Sequence, residues 1–202
     1  MNKQRFARLI SFAFHPAVFA ILVPFLVVYK ESASILYGLK WAFFSSFFLF
    51  VAGGLFFLLR PKAIQEDTDR DFDIAHKENR HMFYSIAALF TLLYFIISII
   101  FKGVFFPLSL VSLGILLGLI LFDILNYYIK VSVHAATVTA YIITFGVLYG
   151  FLPFLGVVWT LFLVIWSRLY LKKHTNVELL AGVLMGTVVT VATIIISRQI
   201  LP

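Results

Sequence analysis

The sequence has no cysteine, and only 12% of its 202 residues are charged. Without Cys there is no disulfide framework, no thiolate metal site and no cysteine nucleophile. Ordinary soluble domains carry about twice that density of charge, so both a disordered chain and a soluble globular domain are excluded. What is there is apolar: 62% of residues are hydrophobic, Phe alone occurs 24 times, and mean hydropathy is +1.04. A soluble protein of this size cannot hide that much apolar surface. The composition predicts an all-α, polytopic membrane helical bundle, and the length predicts a single membrane domain over residues 1–202.

A span needs about 20 mostly apolar residues. The runs that meet this are Phe12–Tyr29, Trp41–Leu59, Met82–Phe101, Val104–Ile129, Val133–Phe151, Phe154–Leu171 and Val177–Ile196. They predict six to seven helices. The first run is interrupted by Pro24, the fourth ends in the polar stretch Asp123-Ile-Leu-Asn126, and the sixth is apolar only as far as Trp166. None shows the period-2 alternation of a membrane barrel. Lys3, Arg5 and Arg8 precede the first run, which is long and lacks a clean small-x-small cleavage site, so it reads as a retained span rather than a signal peptide.

Seven spans divide the connections between two faces. The N-terminus, Arg60–His81, Lys130–Ser132 and Lys172–Thr175 share one, and with Arg168 they hold twelve of the sixteen Lys and Arg residues. The positive-inside rule places that face in the cytoplasm of a multi-pass cell-membrane protein.

Ionisable groups at the edges of spans are costly and mark function by default. Three clusters fall on that same face. The last is Ser167-Arg168, then His174 and Glu178. His174 and Glu178 are four apart and share a helical face. A carboxylate beside an imidazole fixes its tautomer, which suits a His that attacks or transfers protons, and Arg168 is a forked donor fit for phosphate. The middle cluster is Lys130-Val-Ser132-Val-His134. Ser132 is a helix N-cap in this pattern, and the free N–H groups of a helix start attract anions. The first cluster contains Lys77 and Arg80, three apart and able to clamp an anion together. Each cluster alone also has a plainer reading: headgroup-level polar residues, an ordinary cap beside a packed His, and a solvated basic helix end. Asp67, Asp69, Asp71 and Asp73 alternate just before the first cluster. They form either a solvated acidic loop or a Mg²⁺–diphosphate site.

Taken in order, the clusters resemble the type 2 phosphatidic acid phosphatase superfamily, which also contains vanadium haloperoxidases. That family carries Lys, six residues, Arg-Pro; then Pro-Ser-Gly-His; then Ser-Arg, five residues, His, three residues, Asp. The third motif is matched in spacing at Ser167, Arg168, His174 and Glu178. The resemblance spans residues 77–186, a phosphatase-like core, and includes the stretch from Glu178 to Gly182. It departs from the pattern in four places: His81 follows Arg80 where Pro is expected, Asp73 stands where the family Lys would, Val133 replaces Gly, and Glu178 replaces Asp. Lys77 stands in for the missing Lys from the same face, although Arg70 and Lys77 also carry the family spacing. A β-branched Val133 resists positive φ and close backbone approach.

The resemblance implies a metal-independent lipid phosphate phosphatase with no cofactor. His174 would be the nucleophile, Glu178 its orienting acid, and His134 the proton donor and acceptor. Lys77, Arg80, Ser132 and Arg168 would hold the phosphate. The partners implied are the bilayer and a lipid phosphate, with no nucleic acid. Two rivals stay open. A Mg²⁺-dependent membrane prenyltransferase would use Asp67, Asp69 and Asp73, and needs a second acidic cluster where only Asp123 stands. A catalytically silent relative, or a lipid-binding or transport protein, would need no reactive His.

Overall fold

The computed structural model describes residues 2–67, 74, 76–100 and 106–200. Its elements are α1 (Lys3–Ala13), α2 (Pro16–Ser32), α3 (Ile35–Leu59), α4 (Lys62–Asp67), a 3₁₀ turn at Lys77–Arg80, α5 (His81–Ile100), α6 (Phe106–Tyr128), α7 (Val133–Tyr149), α8 (Phe151–Tyr170) and α9 (Asn176–Ile200). The protein is an all-α membrane bundle. Among the described residues, five helices are long and apolar enough to cross a bilayer: α3, α5 with its 3₁₀ turn, α6, α8 and α9. A sixth span results if α1 and α2, bent by 42°, count as one. The remaining apolar helix, α7, has 17 residues and is shorter than the usual span.

Helices α2, α3, α5, α6, α9 and α7 pack in that order around a ring that closes from α7 back to α2. Helix α8 lies against α7, and α1 lies against α8. Leu36, Phe43, Leu58 and Phe162 are strongly exposed, far beyond the apolar patches that soluble surfaces tolerate. The interior is apolar too, with Phe56, Tyr84, Leu108 and Val138 buried, and among these residues it holds small hydroxyl side chains: Ser46, Ser98, Ser109, Ser112, Thr139 and Thr160. In lipid the apolar drive between helices is gone, and small residues and hydrogen bonds take its place. Thus Ser98 Oγ and Ser109 Oγ lie 2.8 Å apart between α5 and α6. Ser45 Oγ donates to Tyr94 Oη at 3.0 Å between α3 and α5.

Local chemistry moves three boundaries from where hydropathy puts them. The first span breaks at His15-Pro16, while Pro24 stays inside α2. Pro disfavours helix at the residue before it and suits the first helical position; here His15 is extended, with φ −66° and ψ 140°, and caps α2. The reversal between α7 and α8 occurs at Gly150 and not at Leu152–Pro153, because Gly150 supplies the positive φ of 99° that the tight turn needs. Helix α3 starts six residues before Trp41, where Ser34 Oγ accepts from Tyr37 N.

Candidate active site

The third motif is set by two helix ends built back to back. Helix α8 closes in a Schellman motif: Lys173 N donates to Arg168 O and Lys172 N to Leu169 O, both at 3.0 Å, with Lys172 left-handed at φ 55°. Helix α9 opens in a capping box. Glu178 N donates to Thr175 Oγ1 at 3.3 Å, and Thr175 N donates to Glu178 Oε2 at 3.2 Å. The same Oε2 lies 2.8 Å from His174 Nδ1. Glu178 therefore caps its helix and orients the imidazole with one oxygen. Nδ1–H is the donor of that bond, so in the neutral ring the lone pair sits on Nε2.

The second motif is fixed against this turn. Ser132 N donates to Glu178 O at 3.2 Å, and Ser132 Oγ caps α7 by accepting from Ala135 N at 3.4 Å. Val133 is the first residue of α7 and takes ordinary helical geometry, so its β-branch is unstrained. Lys130 Nζ donates to Lys173 O at 3.2 Å, joining the two connections. His134 projects one residue further along α7 and is buried. Arg168, His174 and His15 all lie within electrostatic range of it, and the backbone of Ser11 takes a hydrogen bond from its ring. Its Nε2 is buried with no hydrogen-bond partner among the described residues.

Arg168 is 0% exposed. Its Nη1 donates to Ser11 Oγ at 2.9 Å, and the neighbouring Ser167 Oγ donates to Ala7 O at 2.7 Å. The N-terminal helix α1 thus forms one wall of the site. So does the α1–α2 break: the His15 ring meets the His134 ring edge-on, with centroids 5.3 Å apart. His15 Nδ1 accepts from Ala17 N at 3.2 Å, which leaves the neutral ring's proton on Nε2. The sequence pattern gave no sign of these partners, since Ser11 and His15 lie more than a hundred residues from the second and third motifs. The one local signal was the His-Pro pair.

The first motif reaches the site in part. Arg80 is buried, and its Nη1 approaches Val131 O at 3.4 Å beside Ser132. Its Nε and Nη2 donate to Ile74 O at 3.0 and 2.8 Å. The fork therefore clasps the chain before α5 to the α6–α7 connection. Lys77 Nζ donates to Tyr127 O at 2.7 Å and Tyr128 O at 3.2 Å, where a cation complements the C-terminal end of α6. The structure thus brings together His134, His174, Glu178, Ser132, Arg168 and the Nη1 edge of Arg80, while the Lys77 ammonium serves the end of α6. Asp69, Asp71, Asp73 and the side chain of Asp67 lie outside the described residues.

The site is crowded with positive charge. Burial first, and then Arg8, pushes the Lys173 ammonium below its ordinary value of 10.5. Arg168 lies within electrostatic range of His134, Arg8 within that of Lys173, and Lys130 bonds the chain at Lys173 beside His174. Positive charge of this density favours an anion, and an imidazole–carboxylate couple is the arrangement used for proton transfer or nucleophilic attack. Among the described residues, no group of three or more His, Asp or Glu side chains is placed to hold a metal ion. No family model matches the chain, and neither a curated protein nor a solved structure matches it.

Proposed function

We propose that the protein is a membrane lipid phosphate phosphatase of the type 2 phosphatidic acid phosphatase kind, working through a phosphohistidine. One observation carries this reading: the His174–Glu178 couple with the buried Arg168, and His134, come from two distant stretches of sequence and converge at one end of the bundle.

In the first step the His174 Nε2 lone pair bonds to phosphorus, and the bond from phosphorus to the lipid oxygen breaks. His134 takes up a proton together with the anionic substrate and gives it to the departing oxygen, and Glu178 stabilises the positive His174 ring through Nδ1–H. In the second step neutral His134 takes a proton from water as the water oxygen attacks phosphorus. The nitrogen–phosphorus bond breaks, phosphate leaves, and both rings return to their starting states. Arg168, Ser132 and the helix start of α7 hold the phosphate oxygens. Arg80 joins them by exchanging its carbonyl bonds for phosphate. The site lies at helix ends, so its substrate is drawn from the bilayer: a phosphatidate, a phosphatidylglycerophosphate, or a polyprenyl phosphate or diphosphate. The excess of Lys and Arg on this face puts the site on the cytoplasmic side of the cell membrane, and a reporter fused at Lys172 tests that placement.

A second reading, a catalytically silent lipid-binding relative, is favoured by the commitment of the Arg80 fork to Ile74 O. Phosphate release by the purified protein from that lipid panel in EDTA separates the two. Release that is lost in both His174→Ala and His134→Ala, with insertion intact, supports the enzyme. No release from any member by the wild type overturns it in favour of the silent reading.

A further inference from the structure

Helix α1 has 11 residues and is far too short to cross a bilayer. It turns away from α2 by 42° at His15-Pro16 and runs beside α8. Helical spacing sorts its residues onto three faces. Ala7, Ile10 and Ser11 are buried; Ala7 O accepts from Ser167 Oγ and Ser11 Oγ from Arg168 Nη1. Phe6 and Leu9, three apart, are exposed. Arg5 and Arg8, also three apart, are exposed on the remaining side, with Lys3 in the first turn. The helix contains no acidic residue.

The depth of this helix is marked by its neighbours. Phe6 lies against Trp166 with ring centroids 5.7 Å apart, and Trp166 stacks on Tyr170 at 5.5 Å. Tryptophan and tyrosine gather at the headgroup level of a bilayer. One turn back along α8, Phe162 is bare where acyl chains would lie. A helix with cations on one side and Phe and Leu on the next lies in the plane of that interface. Among the described residues no carboxylate pairs with Lys3, Arg5 or Arg8. Arg8 also comes near enough to Lys173 for the two like charges to repel, and an anion beside them would ease that repulsion.

We propose that α1 is an interfacial helix that binds acidic phospholipid of the leaflet facing the site, with phosphate against Arg5 and Arg8 and acyl chains along Phe6 and Leu9. A lipid meets both free faces at once. A second copy of this chain would bring a net charge of +7 against the same cations, and an acidic soluble partner would meet the cations but not the apolar side. The third face gives the binding a consequence: Ala7 and Ser11, on the same turns as Arg8, hold Ser167 and Arg168. Acidic lipid on α1 therefore braces that wall of the site from outside.

The test uses the full-length protein in phosphatidylcholine bilayers, with Trp41→Phe and Trp159→Phe leaving Trp166 as its one tryptophan. Brominated phosphatidylglycerol and brominated phosphatidylcholine, at the same mole fraction, are compared as quenchers of Trp166. The acidic lipid should quench as though enriched on the order of tenfold around α1. Arg5→Gln and Arg8→Gln should each lower the enrichment several-fold, and together bring it close to one. Lys62→Gln removes a cation from α4, which packs on α3 and α5, and should leave the enrichment unchanged. Native mass spectrometry of the unaltered chain, offered both lipids, reads the same preference without the tryptophan changes. Equal quenching and equal retention of the two lipids overturn the proposal, as does an equal loss in Lys62→Gln and Arg8→Gln. Reversal by inorganic phosphate, but not by chloride at the same ionic strength, assigns the cations to a soluble anion and overturns the lipid source. Phosphatidylglycerol is a phosphodiester with no terminal phosphate to release, so the outcome leaves the phosphatase reading standing, and the reverse also holds.

Discussion

Glu178 Oε2 sits 2.8 Å from His174 Nδ1 while also accepting from Thr175 N. One carboxylate oxygen thus ties the start of α9 to the orientation of the ring. Removing the oxygen must affect both, and the two effects can be separated. Glu178→Gln keeps an acceptor for the capping box but loses the charge that stabilises a positive ring. We expect melting to change little and phosphate release to fall ~10²-fold or more. His174→Ala should abolish release, and a malachite-green assay reads both. Equal loss of release and of stability in Glu178→Gln would mean that the residue only caps.

His15 meets His134 edge-on and caps α2 through Nδ1. Asn is as good an N-cap as any residue but does not titrate. His15→Asn should therefore keep the melting temperature and shift the pH profile of phosphate release, because it removes a titrating ring beside His134. His15→Ala should lower stability as well, by about 0.5–2 kcal/mol for the lost cap. An unchanged pH profile in His15→Asn would reduce the residue to a cap.

The all-α membrane class was legible in the sequence, because apolar runs of about 20 residues read as spans. The count was not: seven runs were expected to span, whereas five helices among the described residues are long and apolar enough, or six with the bent α1–α2 pair. The wall formed by Ala7, Ser11 and His15 was not legible. Their partners Ser167, Arg168 and His134 are remote, and no periodicity links them. Hydropathy read Phe12–Tyr29 as one span that includes Pro24 and passed over the break at His15-Pro16, which only the cap at His15 reveals. The Arg80 fork read as a phosphate clamp because a sequence shows a guanidinium's donors but not the carbonyls, such as Ile74 O, that occupy them. The apparent conflict at Val133 disappeared because α7 begins at that residue.

Lys173 offers a test of the proposed anion site. Its folded pKa lies below the ordinary lysine value, by burial and then by Arg8. The unfolded chain then binds more protons in the window between the lowered value and 10.5, so stability rises as pH is taken up through that window. A bound phosphate would offset Arg8 and flatten the rise. Phosphate or vanadate at ~100 times its dissociation constant should also stabilise the protein by about 2.7 kcal/mol. Thermal melts across pH, with and without the anion, check both expectations. Melting curves that the anion leaves unmoved at every pH would remove the anion site.

Lys172 holds a left-handed conformation, φ 55°, in the Schellman turn that carries Arg168 toward His174. A side chain with a Cβ is strained there and glycine is not. Lys172→Gly should raise stability by about 0.5–1 kcal/mol, less than the full left-handed penalty because glycine also loosens the unfolded chain. Release should be unchanged. A fall in melting temperature would show that the Lys172 side chain contributes more than its backbone strain costs.

Gly182 and Gly186 stand four apart on α9 and face α7. A methyl group at Gly182 would be driven into Ser132 O, and one at Gly186 into the backbone of Ala136. Small residues at this spacing let two membrane helices approach closely, and here the approach sets the distance between Ser132 on one helix and the His174–Glu178 couple at the start of the other. The clash at both positions is with backbone, so the helices must separate to admit a side chain. Gly186→Ala should cost about 1–3 kcal/mol. Gly182→Ala, directly behind Ser132 O, should also break the Ser132 N to Glu178 O bond and lower phosphate release more than its stability loss explains. Comparing release per folded molecule in the two variants decides the point: a common ratio of activity to stability would mean that α7–α9 packing supports the fold without tuning the site.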